Sequence, residues 1–327
     1  MSEEKKKPLI IIGGPTASGK SALAVSLARR IGGEVISADS MQIYKGMDIG
    51  TAKTTAEEMQ GIPHHLIDEL EPDEPYNVVL FKEKADRAAA GILERGRIPI
   101  AAGGTGFYIQ ALLRDIRFTP VQTDEAYRDK LWEISKETDG PARLHRLLQE
   151  RDPESARQIH ENNVKRVIRA LEFYRQTGQR ISEHNKVESL RPSPYNYAYF
   201  VLTMKRDELY RRIEERVDAM MADGLEEEVR RLKEAGYGPG LVSMQGIGYK
   251  EMLEYLDGRI TLQEAVCRIK TDTRHFAKRQ LTWFGREKDI EWIDLDQYSG
   301  QQEILDRMCR ILKEKNIIET VDRKEYR

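Results

Sequence analysis

Leu9-Ile10-Ile11-Ile12-Gly13-Gly14-Pro15-Thr16-Ala17-Ser18-Gly19-Lys20-Ser21 is the stretch on which the fold turns. Its first four residues form an apolar, largely β-branched run, as in strands buried on both faces. Beyond it, Leu23, Leu27, Ala28 and Ile31 recur at helical spacing. Between these two runs, Gly14, Pro15, Thr16, Ala17, Ser18, Gly19, Lys20 and Ser21 match G-x-x-x-x-G-K-[ST], which reads as strand, glycine loop, helix. Such a loop works by converging backbone N–H groups on an anion at a helix N-terminus, where Lys20 adds a point charge and Ser21 can ligate Mg²⁺. A plain serine-capped turn would explain the glycines but not the lysine. The expected ligand is a diphosphate or triphosphate.

Working outward, Val35-Ile36-Ser37, Ile98-Pro99-Ile100-Ala101-Ala102 and Tyr199-Phe200-Val201-Leu202-Thr203 read as further buried strands, with helical stretches such as 79–95 between them. Alternation of this kind predicts a parallel sheet covered by helices. From 118 to 194 the strand-like runs vanish, and helical patterns at 142–151 and 164–176 take over. An all-helical insertion is therefore expected at 118–194, between core segments 1–117 and 195–327. Arg191-Pro192-Ser193-Pro194 closes it, because proline disfavours helix in the residue before it. Leu209, Ile213, Val217, Met220, Leu225, Val229 and Leu232 then predict one long helix, ended by the glycines at 236–240. The charged tail at 313–327 reads as a frayed, solvated end.

The chain has 327 residues, enough for one large core or two smaller units. Lysine plus arginine less aspartate plus glutamate gives 53 − 55 = −2, which excludes a uniformly basic nucleic-acid binder. Any polyanion must meet a local patch. Cys267 and Cys309 are far apart without a CxxC, so neither a disulfide framework nor a cysteine zinc site is supported. The charged start and the short apolar run behind it fit neither a signal peptide nor a membrane span. A cytoplasmic protein with no membrane contact, working as a monomer, is expected.

Two further segments end at the same sheet edge, where ligands of open α/β folds bind. Ser37-Ala38-Asp39-Ser40-Met41-Gln42-Ile43-Tyr44 follows the second strand, and its Asp39 is expected to face the phosphate loop. A carboxylate there can hold Mg²⁺ through water or take a proton from a nucleophile attacking beside the diphosphate; it can also be a helix cap. Gly103-Gly104-Thr105-Gly106-Phe107-Tyr108 follows another strand and brings a hydroxyl to the same edge. His64 and His65 look ligand-like as a pair, but a strand points neighbours to opposite faces, so a shared metal is not expected.

At these residues the chain resembles the tRNA dimethylallyltransferases, also called tRNA isopentenyltransferases, of the bacterial type. The match includes the segments above together with Asp48-Ile49-Gly50-Thr51-Ala52-Lys53, His64-His65-Leu66-Ile67-Asp68, Arg166-Val167-Ile168-Arg169-Ala170-Leu171-Glu172, Gln245-Gly246-Ile247-Gly248-Tyr249-Lys250 and Lys278-Arg279-Gln280-Leu281-Thr282-Trp283-Phe284. The fold class implied is α/β: a P-loop NTPase-like parallel sheet flanked by helices, with an all-helical insertion domain. The activity implied is transfer of a dimethylallyl group from dimethylallyl diphosphate to the exocyclic amine of the adenine 3′-adjacent to the tRNA anticodon, with diphosphate leaving. In that scheme Lys20, Ser21, Mg²⁺ and Arg216 stabilise the diphosphate, Ser21 and Asp39 stand at the metal, Asp39 is the general base, and Thr105 contacts the target nucleotide. Taken alone, Arg216 reads as a solvated helix arginine and Thr105 as a cap. Ser21 stands where many members have threonine, which keeps the hydroxyl. No cysteine–histidine set follows Cys309, so the zinc finger of eukaryotic members is not expected.

An adenine stacked in an RNA loop must be extruded into such an enzyme, so an RNA surface is needed. Between Arg268 and Lys288 there are seven basic residues (Arg268, Lys270, Arg274, Lys278, Arg279, Arg286, Lys288) against Asp272 and Glu287, an excess of 7 − 2 = +5. Lys270, Arg274 and Lys278 share one helical face. The expected tRNA contacts comprise Arg274, Lys278, Arg279 and Gln280, together with Asp39, Ser40, Met41, Gln42 and Thr105. The loop of Gln245, Gly246, Ile247, Gly248, Tyr249 and Lys250 joins them, as do Lys165, Arg166, Val167, Ile168, Arg169 and the weaker Arg128 of the insertion. A solvated basic face competes with this reading. So do two other enzymes: a prenyltransferase acting on free adenylate, and a P-loop kinase whose Walker B end would be Leu66-Ile67-Asp68. An RNA-binding module without catalysis would leave Asp39 and the phosphate loop unexplained.

Overall fold

The computed structural model describes residues 6–118 and 124–319. Contacts divide the chain into two compact units, Met1–Leu113 with Pro194–Arg327, and Arg114–Ser193.

In the first unit the chain runs β1 (Lys7–Gly13), α1 (Lys20–Ile31), β2 (Gly33–Ser37), α2 (Ala56–Met59), β3 (His64–His65), α3 (Val78–Glu94), β4 (Ile98–Gly103) and α4 (Gly106–Leu113). The second unit then contributes α5 (Glu125–Ser135), α6 (Gly140–Arg151), α7 (Pro153–Gln158), α8 (Val164–Thr177) and α9 (Ile181–Ser189). The chain returns with β5 (Tyr195–Thr203), α10 (Arg206–Ala222), α11 (Leu225–Glu234), α12 (Tyr249–Leu256), α13 (Leu262–Phe284), β6 (Ile290–Asp294) and α14 (Gln301–Glu314).

The six strands form one parallel sheet in the order β3-β2-β4-β1-β5-β6. Because β1 lies inside it, successive residues face two cores. Ile10 and Ile12 pack with Leu23, Leu27, Met308 and Leu312 of α1 and α14. Leu9 and Ile11 pack on the other face with Phe81, Ile109, Met252 and Phe284 of α3, α4, α12 and α13. All four residues are fully buried, which is why the run carries no polar alternation. The second unit has a core of its own around Leu131, Leu144, Leu148, Val167, Ile168 and Leu171.

Two expectations are corrected, and one feature of the kinase alternative is removed. The single long helix is two, because Gly224 at φ 98° stands between α10 and α11 in a left-handed conformation that cannot continue a helix. The tail is not frayed throughout: α14 runs to Glu314 and Ile317 is buried, while 320–327 lie outside the described residues. Leu66-Ile67-Asp68 is no Walker B end, since the strand stops at His65 and the Asp68 carboxylate accepts from Lys53 Nζ at 2.5 Å. The edge strand β6 had no reading in the sequence.

Candidate active site

The phosphate loop joins β1 to α1 with Ala17 at φ 62° and Gly19 at φ 82°. Left-handed backbone at a non-glycine residue is uncommon, and here it falls in the anion-binding turn. Ser18 Oγ donates to the Pro15 carbonyl at 2.8 Å, and Lys20 Nζ donates to the same oxygen at 2.6 Å. From α10, Arg216 reaches the loop and donates to Thr16 Oγ1 at 3.4 Å. Neither Lys20 nor Arg216 forms a salt bridge with a carboxylate among the described residues. Burial is the main cause that lowers the Lys20 pKa to about 7; the Arg216 guanidinium lowers it further and Asp39 opposes both. Burial also lowers the Arg216 pKa. Two cations whose charges are disfavoured by their surroundings form a site suited to an anion.

Asp39 stands just past the end of β2. One of its oxygens accepts from the Met41 N–H at 2.8 Å, and burial raises its pKa while that bond and the Lys20 charge oppose the rise. The end of β4 lies against it. The Thr105 N–H donates to the Ala38 carbonyl at 3.3 Å, and a Cβ on Gly103 would sit 2.2 Å from that same oxygen, so only glycine allows the two strand ends to meet. The Asp39 and Thr105 segments are thus adjacent, and the Coulombic coupling of Asp39 with Lys20 joins them to the phosphate loop.

Gln280 fastens this arrangement from α13. Its Oε1 accepts from the Thr16 N–H at 2.8 Å and its Nε2 donates to the Gly104 carbonyl at 3.0 Å. The side chain is buried, so it bridges the two loops. Phe284, one turn on, is wholly buried and stacks edge-on against Tyr199, as a core aromatic does.

Other expected contacts separate by exposure. Lys278 and Arg279 are exposed on α13, and Lys165, Arg166 and Arg169 are exposed on α8 of the second unit. Val167 and Ile168 are buried in that unit's core. Arg128 is held by buried Glu172 at 2.5 Å. Arg274 pairs with Glu214 at 2.6 Å, Lys270 with Asp218 at 2.6 Å and Arg268 with Glu254 at 2.9 Å, so most of the basic excess on early α13 is matched locally. Gln42 accepts from Ser37 Oγ and donates to the Thr51 and Ala52 carbonyls, which makes it a brace within its loop. Ser40 and Met41 are half-buried, Gln245 is exposed, and Tyr249 is fully buried. An open cleft of about 700 Å³ lined by Glu214, Leu262, Val266, Lys270 and Arg274 includes no residue of the phosphate loop. His65 bonds Glu34 and His64 bonds the Ile62 carbonyl, so the pair shares no ligand. No group of three or more His, Cys, Asp or Glu side chains suited to a metal occurs among the described residues. No helix among them is long and apolar enough to cross a membrane.

A family model described as IPP transferase matches residues 42–287, and one described as isopentenyl transferase matches 7–74. The chain belongs to the IPP transferase family. It is 54% identical over 312 residues to a tRNA dimethylallyltransferase of Lachnoclostridium phytofermentans, covering 95% of this chain and 99% of that one. Among solved structures, the tRNA isopentenylpyrophosphate transferase of Bacillus halodurans superposes with a TM-score of 0.71 at 45% identity, covering 95% of this chain and 98% of that one. A eukaryotic dimethylallyltransferase solved acting on tRNA gives 0.78 at 31% identity, with coverage of 97% and 82%. The parallel sheet with its phosphate loop is therefore the P-loop NTPase-like fold of the IPP transferases.

Sequence reasoning missed Glu228 of α11. It is a buried acid that looked like one more charge in Glu226-Glu227-Glu228. The only available signal was its place on the apolar face, three residues after Leu225 and four before Leu232.

Proposed function

We propose that this enzyme transfers the dimethylallyl group of dimethylallyl diphosphate to the exocyclic amine of the adenine 3′ of the anticodon in tRNA, releasing diphosphate, in the cytoplasm. The observation that carries the reading is a phosphate loop where two half-buried cations, Lys20 of the loop and Arg216 of α10, form no salt bridge among the described residues and stand near the half-buried carboxylate of Asp39, whose pKa burial raises. A kinase reading gains nothing from Asp68, which is tied to Lys53.

The chemistry follows from these charges. As the carbon–oxygen bond of the donor breaks, negative charge grows on the diphosphate, and Lys20, Arg216 and the loop backbone stabilise it. The adenine nitrogen forms the new bond to carbon and passes its proton to Asp39, whose raised pKa suits it to accept one. Donor chemistry at the loop fits Mg²⁺: a hydroxyl from Ser21 and an acid from Asp39 are hard oxygens, and this ion takes few protein ligands and fills the rest from phosphate and water. When bound there it would add charge stabilisation at the leaving group. Thr105 would meet the target nucleotide. Exposed Lys278, Arg279, Lys165, Arg166 and Arg169 would meet RNA phosphates.

Mass analysis of tRNA nucleosides after incubation with dimethylallyl diphosphate and Mg²⁺ tests the reading. The expected product is an adenosine heavier by one five-carbon unit next to the anticodon. Prenylation of free AMP with tRNA untouched, or ATP turnover independent of RNA, would overturn it.

A further inference from the structure

We infer that Glu228 is a positioning residue for the RNA substrate: it binds the 48–50 loop to the 245–250 loop and so fixes the platform on which the Asp39–Gln42 segment lies. The inference rests on the proposed tRNA reaction.

Glu228 is 1% exposed on the inner face of α11. One carboxylate oxygen accepts from the N–H groups of Asp48 at 2.9 Å and Ile49 at 2.8 Å. The other accepts from the Gly50 N–H at 3.1 Å and from the Tyr249 hydroxyl at 2.6 Å. Three successive backbone N–H groups converging on one acceptor make an anion nest, here filled from within the chain. Tyr249 carries the connection onward. Its ring is fully buried, and a Cβ on Gly50 would lie 2.5 Å from it, so the two loops touch without a side chain between them. From the far side of the nest, the Thr51 and Ala52 carbonyls hold the Gln42 amide. Met41 packs where a Cβ on Gly246 would lie, 2.7 Å from its methyl group. Hence two segments expected to face RNA, 39–42 and 245–250, are cross-linked by way of the 48–52 loop through one buried carboxylate that itself touches no reacting atom.

No phosphate-loop residue hydrogen-bonds Glu228, so loosening this node separates RNA recognition from donor binding. In Glu228→Gln the amide presents an N–H where at least one backbone N–H already points, which breaks the nest while preserving volume. Two measurements read the effect on the full chain: steady-state kinetics with tRNA as varied substrate, and direct binding of an anticodon stem-loop RNA. The KM for tRNA and the stem-loop Kd should rise about tenfold, with kcat at saturating tRNA within about threefold and the Kd for dimethylallyl diphosphate unchanged. Tyr249→Phe removes one of the four bonds and should move the same quantities by a smaller factor, which keeps the test open should Glu228→Gln fail to fold. A fall in kcat at unchanged RNA affinity, equal loss of donor and RNA affinity, or no effect of either variant would overturn the inference. Stem-loop binding reads it even if the wild-type protein fails to prenylate tRNA, so the two failures are distinguishable.

Discussion

The cations at the phosphate loop and those along early α13 differ in what faces them. Lys20 and Arg216 are half-buried with no salt-bridged acid among the described residues, and burial depresses the pKa of each. Arg268, Lys270 and Arg274 are each matched to a carboxylate at 2.6–2.9 Å. An unmatched buried charge destabilises the fold and is sustained only where a ligand completes it; a matched, partly exposed pair contributes little, about 0–1 kcal/mol. The sign of a residue says where an anion can bind only once its neighbours are known.

The sharpest way to break this contrast is at the carboxylate beside the unmatched pair. Asp39→Ala should lower kcat by about 10²–10⁴-fold with tRNA affinity nearly unchanged, since it removes the proton acceptor but only one of many expected RNA contacts. The wild-type pH–rate profile should carry an acid limb above the ordinary aspartate range, because burial raises the Asp39 pKa, and the variant should lack it. Retained turnover would remove Asp39 from the reaction.

Next in size is Lys20. Donor affinity in Lys20→Met should fall by about 10–100-fold, the loss of a charge-assisted contact. Between pH 7 and 10.5 the folded, ligand-free protein holds fewer protons at Lys20 than the unfolded chain does, so this group's contribution to stability rises with pH across that window. At pH 7 and below, the full cost of the buried ammonium is present. The ligand-free Lys20→Met protein should therefore melt higher than wild type at pH 7, with the gap closing toward pH 10. Donor binding at pH 8 should take up protons in wild type, visible by calorimetry in buffers of different ionisation enthalpy, and not in the variant. An ammonium already fully charged before the donor binds would give no uptake.

The smallest effects distinguish the exposed from the matched cations of α13. Replacing Lys278 and Arg279 with alanine should reduce the slope of log Kd against log salt for tRNA by about one per contact. Arg274→Ala should leave that slope unchanged and shift stability by under about 1 kcal/mol, as expected for a partly exposed pair. If Arg274→Ala alone flattens the slope, the pair with Glu214 opens in the complex and the contrast between the two regions fails.

Much of the sheet was legible because buried parallel strands are continuous apolar runs: Leu9 to Ile12, Val35 to Ser37 and Tyr199 to Thr203 all carried that mark. The phosphate loop was legible because its chemistry is local, set by residues within one turn of one another. β6 escaped because Ile290-Glu291-Trp292-Ile293-Asp294 lies at the sheet edge and mixes charge with apolar residues. The break between α10 and α11 escaped because apolar spacing continues through Gly224. Long-range partnership was the least legible. Nothing near Gln280 in sequence says that it reaches Thr16, 264 positions away, and nothing near Arg274 announces Glu214. Gln42 and Gln280, both read as RNA contacts, have side chains occupied in joining loops.

The strand order carries a consequence for biosynthesis. β1 leaves the ribosome long before one of its two neighbours, β5, which pairs with it from Lys7↔Tyr195 to Gly13↔Val201. At roughly 5–20 residues per second, translation leaves the nascent Leu9–Ile12 run waiting about ten to forty seconds for that flank. Throughout that delay this wholly apolar run has an open side, and the whole helical insertion must be translated before it closes. Slowing the ribosome inside the insertion should thus increase aggregation without altering a single native contact.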